Sequence, residues 1–124
     1  MAKAIHDDVL DAALEYLQTN GDEIVVCDTE PTTYAEAHTT YMLANHALAG
    51  GDYTIANGDV SGRKVTIAEQ AGITVTNSGT AGFVCITDTV SSALLLKTTC
   101  TPQALTAANT VTIPAFDDEI ADPA

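Results

Sequence analysis

The chain has no tryptophan, few aromatic residues of any kind (5%), only four lysines and arginines, and three cysteines. Each shortage excludes something. Sites that stack sugars or single-stranded bases lean on aromatic platforms, which this chain can hardly supply. Four basic residues against 17 acidic ones leave a formal charge of -13. A polyanion repels phosphate backbones, so direct nucleic-acid binding is not expected. Anionic membrane surfaces are disfavoured for the same reason. No apolar run approaches the roughly 20 residues of a membrane-spanning helix. The first residues, MAKAIHDDVLDAALEYL, meet acids directly after a single early lysine, which is not the pattern of a secretory signal. Synthesis in a reducing cytoplasm is the expectation.

Cys27, Cys85 and Cys100 stand apart, with no C-x-x-C and no close Cys/His pair, so a structural zinc site is not expected. An odd count excludes a fully paired framework. Each lies in or beside an apolar run, where a free thiol acts as a small buried hydrophobe. Catalytic signatures are missing too. There is no G-x-S-x-G, and His6, His38 and His46 belong to no recognisable set. His6, Asp7 and Asp8 are adjacent at a helix start, so they diverge rather than converge on a metal. Asn57–Lys64 (NGDVSGRK) has the wrong glycine spacing for a phosphate loop and precedes a strand. Asp117–Glu119 lacks the glycine of a calcium loop. No enzyme activity and no cofactor are expected.

What the chain does contain is β pattern. Its 124 residues suit one domain. A helix is predicted over about 7–19, where Val9, Leu10, Ala13, Leu14 and Leu17 form a stripe of helical period and acids occupy the first turn. Glu23–Asp28 (EIVVCD) reads as a buried strand. Pro31 then breaks the chain, TTYAEA could make one helical turn, and Thr40–Ala49 commits to neither period. Short strands follow in RKVTIAEQ, GITVTN, FVCITD, ALLLKTTC and NTVTIPAF, with a Thr/Ala loop at Pro102 and threonine on the wet positions. The predicted class is mainly β: an antiparallel sandwich or jelly-roll-like body over about 22–116, one N-terminal helix, and an acidic tail over 117–124 that is solvated or laid along a partner.

Two strands look apolar on both faces. Phe83 and Cys85 oppose Val84 and Ile86, and Leu94 and Leu96 oppose Leu95. Strands of an antiparallel sandwich ordinarily keep one polar face. The second face therefore needs a cover: the N-terminal helix, the Thr40–Ala49 segment, or another protein. Arg63 and Lys64, half of the chain's positive charge, suit an inter-subunit salt bridge or a solvated strand edge that blocks aggregation.

Taken together, VLDAALEYLQTN, EPTTYAEA, GDVSGRKVTI and NTVTIPAFDDEIADP resemble the small capsid decoration, or cement, proteins of tailed bacteriophages. That resemblance implies a β-sandwich that self-associates as a dimer or trimer, binds the major capsid protein on the outer capsid surface, and carries no catalytic residues. A head-fibre, tail or receptor-binding module of the virion is the alternative. The residues nominated for contacts are Val9, Leu10, Leu14 and Leu17 on the helix, the Arg63–Lys64 pair, and Val84, Ile86 and Leu95 on the two-sided strands.

Overall fold

The computed structural model describes residues 5–121. Helix α1 spans Asp7–Asn20. Nine strands follow among the described residues: β1 Glu23–Cys27, β2 Met42–Ala47, β3 Tyr53–Asn57, β4 Arg63–Ile67, β5 Gln70–Thr74, β6 Gly79–Asp88, β7 Ala93–Leu105, β8 Thr110–Ile113 and β9 Phe116–Ile120. They form a four-stranded sheet in the order β2-β1-β6-β7, a three-stranded sheet β3-β4-β9 and the pair β5-β8. Every pairing is antiparallel. The body is mainly β and sandwich-like, with one N-terminal helix, as the alternating patterns predict.

The main core joins all three sheets to the helix. Ile24, Val26, Val84 and Ile86 from the four-stranded sheet meet Val65 and Ile67 of β4, Ile73 of β5, Ile113 of β8, and Leu14 and Leu17 of α1. The helical period brings Leu10, Leu14 and Leu17 to one buried face and leaves Val9 exposed. At the N-terminus, His6 caps the helix, its Nδ1 accepting from the Asp8 amide at 3.1 Å. Asp7 and Asp8 fill the first turn, where the dipole favours negative charge.

At the C-terminal end the helix closes on Gly21, whose amide donates to the Leu17 carbonyl at 2.7 Å. The Gly21 carbonyl in turn accepts from the buried Tyr53 hydroxyl at 2.7 Å. Helix end and sheet approach so closely here that a Cβ on Gly21 would lie 2.5 Å from that hydroxyl and 2.7 Å from Ile86 Cγ2.

The second face of β1 and β6 is also covered. Val25, Cys27 and Cys85 form a smaller buried cluster with Ala37, which sits on a π-helical turn, Glu36–Thr40. The cover is thus not the helix but the end of the TTYAEA stretch together with the start of Thr40–Ala49, whose Tyr41 and Met42 also pack on the cluster. The ambiguous segment is itself strand β2, paired with β1. Its mixed pattern follows from its place at the sheet edge, where Leu43 and Ala44 are buried and Asn45, His46 and Ala47 are exposed.

Three further expectations are corrected. Leu94 and Leu96 do not share a face. The β6–β7 register steps from Ile86↔Leu96 to Thr87↔Leu94, so Leu95 is an extra, bulged residue. Leu94 then packs on the smaller cluster while Leu95 and Leu96 pack on the main core. Pro102 does not lie in a loop. β7 runs through it, because β7 is an edge strand and the register is irregular there, between Ala81↔Gln103 and Phe83↔Thr99. The acidic end is not wholly a tail either: Asp117, Asp118 and Glu119 belong to β9 and pair with β4. Its last residues, 122–124, lie outside the described part of the chain.

The close approach at Gly21 gives a direct test. Gly21→Ala should destabilise the fold by roughly 1–3 kcal/mol, the usual cost of overpacking, read as a lower urea midpoint with unchanged slope. An unchanged midpoint would mean that the helix end does not dock on Tyr53 and Ile86 this tightly.

A candidate protein-contact seam between two edge strands

Two edge strands, β7 and β9, border a gap in the sandwich. They belong to different sheets and are not hydrogen-bonded to each other. Two grooves follow one another along the gap. One, of about 380 Å³, lies between Thr98–Gln103 of β7 and the Val111–Asp117 stretch. Its floor reaches the core at Val26, Ala81, Val84 and Ile113. The other, of about 310 Å³, lies between Ala13 and Tyr16 on α1, Leu94–Leu96 on β7, and Ile120 on β9. Leu95, Leu96, Cys100, Val111, Phe116 and Ile120 pack against the core along the gap yet stay only partly buried. On the helix side, Tyr16 is 57% exposed.

The seam differs electrically from the rest of the chain. From Thr89 to Phe116 there is no Asp or Glu, and Lys97 is the single charged side chain. That stretch supplies all of β7 and β8. With a formal +1 there and -13 in total, the remaining residues carry -14. The β7 and β8 wall is acid-free and rimmed by Thr98, Thr99, Thr101 and Thr112, while Asp117 and Asp118 of β9 line the opposite side of the two grooves. Apolar side chains can enter between them, and neutral or basic polar groups can bond at the rim.

Backbone pairing along these edges is discouraged. β7 carries Lys97, Pro102 and two register irregularities, and β9 carries three acids in five residues. These are the devices by which sheet edges avoid recruiting strands. Recognition at the seam is therefore a matter of side chains entering grooves. Cys100 contributes as an apolar wall: burial, and then Cys85, push its thiol up, so it stays protonated near neutral pH.

The nominated contact residues scatter relative to this seam. Leu95 lines the second groove and Val84 the floor of the first. Ile86 is fully buried, and Leu10, Leu14 and Leu17 are buried in the helix contact. Leu14 and Leu17 form the inner wall of the second groove, and Val9, 62% exposed, stands free on the outer helix face. Arg63 and Lys64 lie on β4, the central strand of its sheet, so neither forms a solvated edge. Both find partners within the chain. Arg63 Nε donates to Asp11 Oδ1 at 2.7 Å, joining the sheet to α1. Lys64 Nζ reaches Asp59 at 2.7 Å and Asp117 at 3.3 Å, fastening β9 to β4.

Phe116, Ile120, Val111 and Cys100 were not nominated as contact residues. The signal available was the long acid-free stretch, whose meaning depends on β7 and β8 lying together. Among the described residues, no three His, Cys, Asp or Glu side chains group as a metal site. Comparison with family models, with curated proteins and with solved structures gave no match.

The β9 side of the seam should respond to acid. The Thr66 hydroxyl, which donates to Asp117 at 2.7 Å, and then Lys64 hold the Asp117 carboxyl below its ordinary value of 3.8. A lowered folded-state pKa means stability present above the unfolded value and lost as pH falls through the folded one. Asp117→Asn should therefore lower Tm at pH 6 and flatten its fall between about pH 5 and 2. Parallel Tm–pH curves for the two proteins would contradict the Lys64–Asp117–Thr66 tie.

Proposed function

We propose that this chain is a non-enzymatic structural protein of a virion, which binds the outer surface of a tailed-phage capsid and cements neighbouring capsid subunits. The observation that carries the reading is the seam: half-buried apolar side chains held open between two edge strands, one of which, β7, belongs to the acid-free stretch of a strongly acidic molecule. A cementing module has to meet a protein surface through a preformed patch. Exposed or half-exposed apolar grooves with a polar rim are the usual form of such patches. The charge adds direction. A formal charge of -13 suits the exterior of a shell and is repelled by packaged DNA. With the acid-free β7 wall turned to the capsid, acids on the other faces point to solvent. The resemblance of the helix, the TTYAEA element and the closing strand to decoration proteins supports the same role.

The test is binding of purified protein to empty shells of a tailed phage whose genome encodes this chain. Wild-type protein should co-sediment with the shells at saturable stoichiometry. Thr98→Glu, which puts a charge on the exposed rim of the larger groove, should weaken binding by at least tenfold while the far-UV spectrum and Tm remain those of wild type. Val60→Glu, at a hairpin tip that is 93% exposed and lines neither groove, should bind normally. Undecorated shells at high protein excess would sink the capsid reading. Normal binding by Thr98→Glu would show that another face makes the contact.

A further inference from the structure

A second constellation lies away from the seam, in the smaller buried cluster on the other face of β1 and β6. Cys27 and Cys85 have no exposed surface and sit on adjacent antiparallel strands. Cys85 opposes Val25 and Cys27 opposes Phe83, so the two thiols are diagonal neighbours on one face. Across the other side of β6, Cys85 stands directly opposite Lys97. The thiols affect each other strongly. The neighbouring Cys85 is the main influence pushing the Cys27 thiol up. The Cys27 thiol beside it draws the Cys85 thiol down, burial opposes this, and the Lys97 charge assists it. A thiol lowered beside an ammonium group, with a second thiol within reach, is the arrangement of an attacking and a resolving cysteine.

A small element covers the pair, with Tyr41, Met42, Phe83 and Leu94 packed around it. The π-helical turn Glu36–Thr40 lies over the thiols, its Ala37 fully buried and the Ala37 carbonyl 3.6 Å from Cys27 Sγ. A polar latch holds the turn. His38 Nδ1 donates to the buried Glu23 carboxylate at 2.8 Å, and the same carboxylate accepts from Thr87 Oγ1 at 2.9 Å and Asn45 Nδ2 at 3.0 Å. The outer face of the His38 ring stays partly exposed and stacks on Tyr34, with centroids 4.9 Å apart. The latch is thus made at the surface by one histidine, while the carboxylate keeps its two other donors from the sheet.

We propose that Cys27 and Cys85 are a latent dithiol, which closes to a cross-strand disulfide by exchange with a small-molecule disulfide when the π-helical turn lifts. The Cys85 thiolate attacks one sulfur of the disulfide RSSR, forming a mixed disulfide at Cys85 and releasing RS⁻. The Cys27 thiolate then attacks the Cys85 sulfur, forming the Cys27–Cys85 bond and releasing the second RS⁻. The two cysteine protons end on the two released thiolates, so two protein thiols are oxidised and one RSSR is reduced to two RSH. Diagonal strand positions lie at about 7–8 Å between Cα atoms, slightly beyond the usual disulfide span. Closing the bond therefore needs β1 and β6 to shift locally when the turn lifts.

The experiment treats the folded full chain with excess oxidised glutathione and follows it by intact mass and peptide mapping. Expected is the loss of two hydrogens, with a Cys27–Cys85 crosslink in the map and no retained glutathione on either residue. His38→Ala, checked as folded by its far-UV spectrum, should form the crosslink about tenfold faster, as loss of one charge-assisted hydrogen bond eases local opening. Three outcomes overturn the proposal: both cysteines stay reduced in the native chain, Cys85 pairs with Cys100 instead, or Cys85 keeps glutathione that Cys27 never displaces. Equal rates for wild type and His38→Ala would overturn the gate.

Discussion

The structure depends on one constraint: β1 and β6 lie side by side in the middle of a sheet, and both of their faces are apolar. In β1 every residue from Glu23 to Cys27 is buried. In β6 the run from Val84 to Asp88 is buried as well. Alternate side chains of a strand point to opposite faces, so Ile24, Val26, Val84 and Ile86 need one cover while Val25, Cys27 and Cys85 need another. The first cover is the other half of the sandwich together with α1. The second is a short π-helical turn, with Tyr41 and Met42 after it. Much of the remaining chain serves one requirement or the other.

The two covers are held by different physics. The main core is apolar and large, and it draws on all three sheets and the helix. Its weak place is geometric: nine strands divided four, three and two leave β7 and β9 facing each other without hydrogen bonds. The seam is the consequence. The small cover has too few apolar contacts to stay down by burial alone. It relies on the Glu23 carboxylate, buried and satisfied by three donors. Buried charges persist where such donors converge. The turn is therefore placed by a polar contact and is the less firmly packed of the two covers.

Charge is arranged to match. Acids on α1, the β3–β4 hairpin and β9 meet two of the few bases, and Arg63 and Lys64 neutralise Asp11, Asp59 and Asp117 within the chain. The third ion-paired base, Lys97, meets Glu30 on the side of the small cover. With Arg63, Lys64 and Lys97 held in internal pairs, the chain keeps a strongly negative exterior, and the acid-free β7 wall of the seam becomes the surface through which another protein can come near with little repulsion.

Sequence pattern by itself determined the mainly β class, the helix over about residues 7–19, most strand positions, and the fact that two strands are apolar on both faces. These are local signals: a period of 3.6 or 2, a glycine or proline at a break. It also determined the charge, and with it the partners that a polyanion repels. Only the tertiary structure decided what covers the second face, since the 31–41 segment and β1 meet through contacts such as Glu23 to His38 that no local period encodes. It alone decided that Arg63 and Lys64 serve internal pairs, because a strand's place at the centre or edge of a sheet depends on its neighbours. The bulge at Leu95 turned one leucine of three to an unexpected face, since register belongs to a pair of strands and not to one. The seam and the dithiol share that origin: each is made of residues ordinary in sequence, whose meaning comes from what stands opposite them.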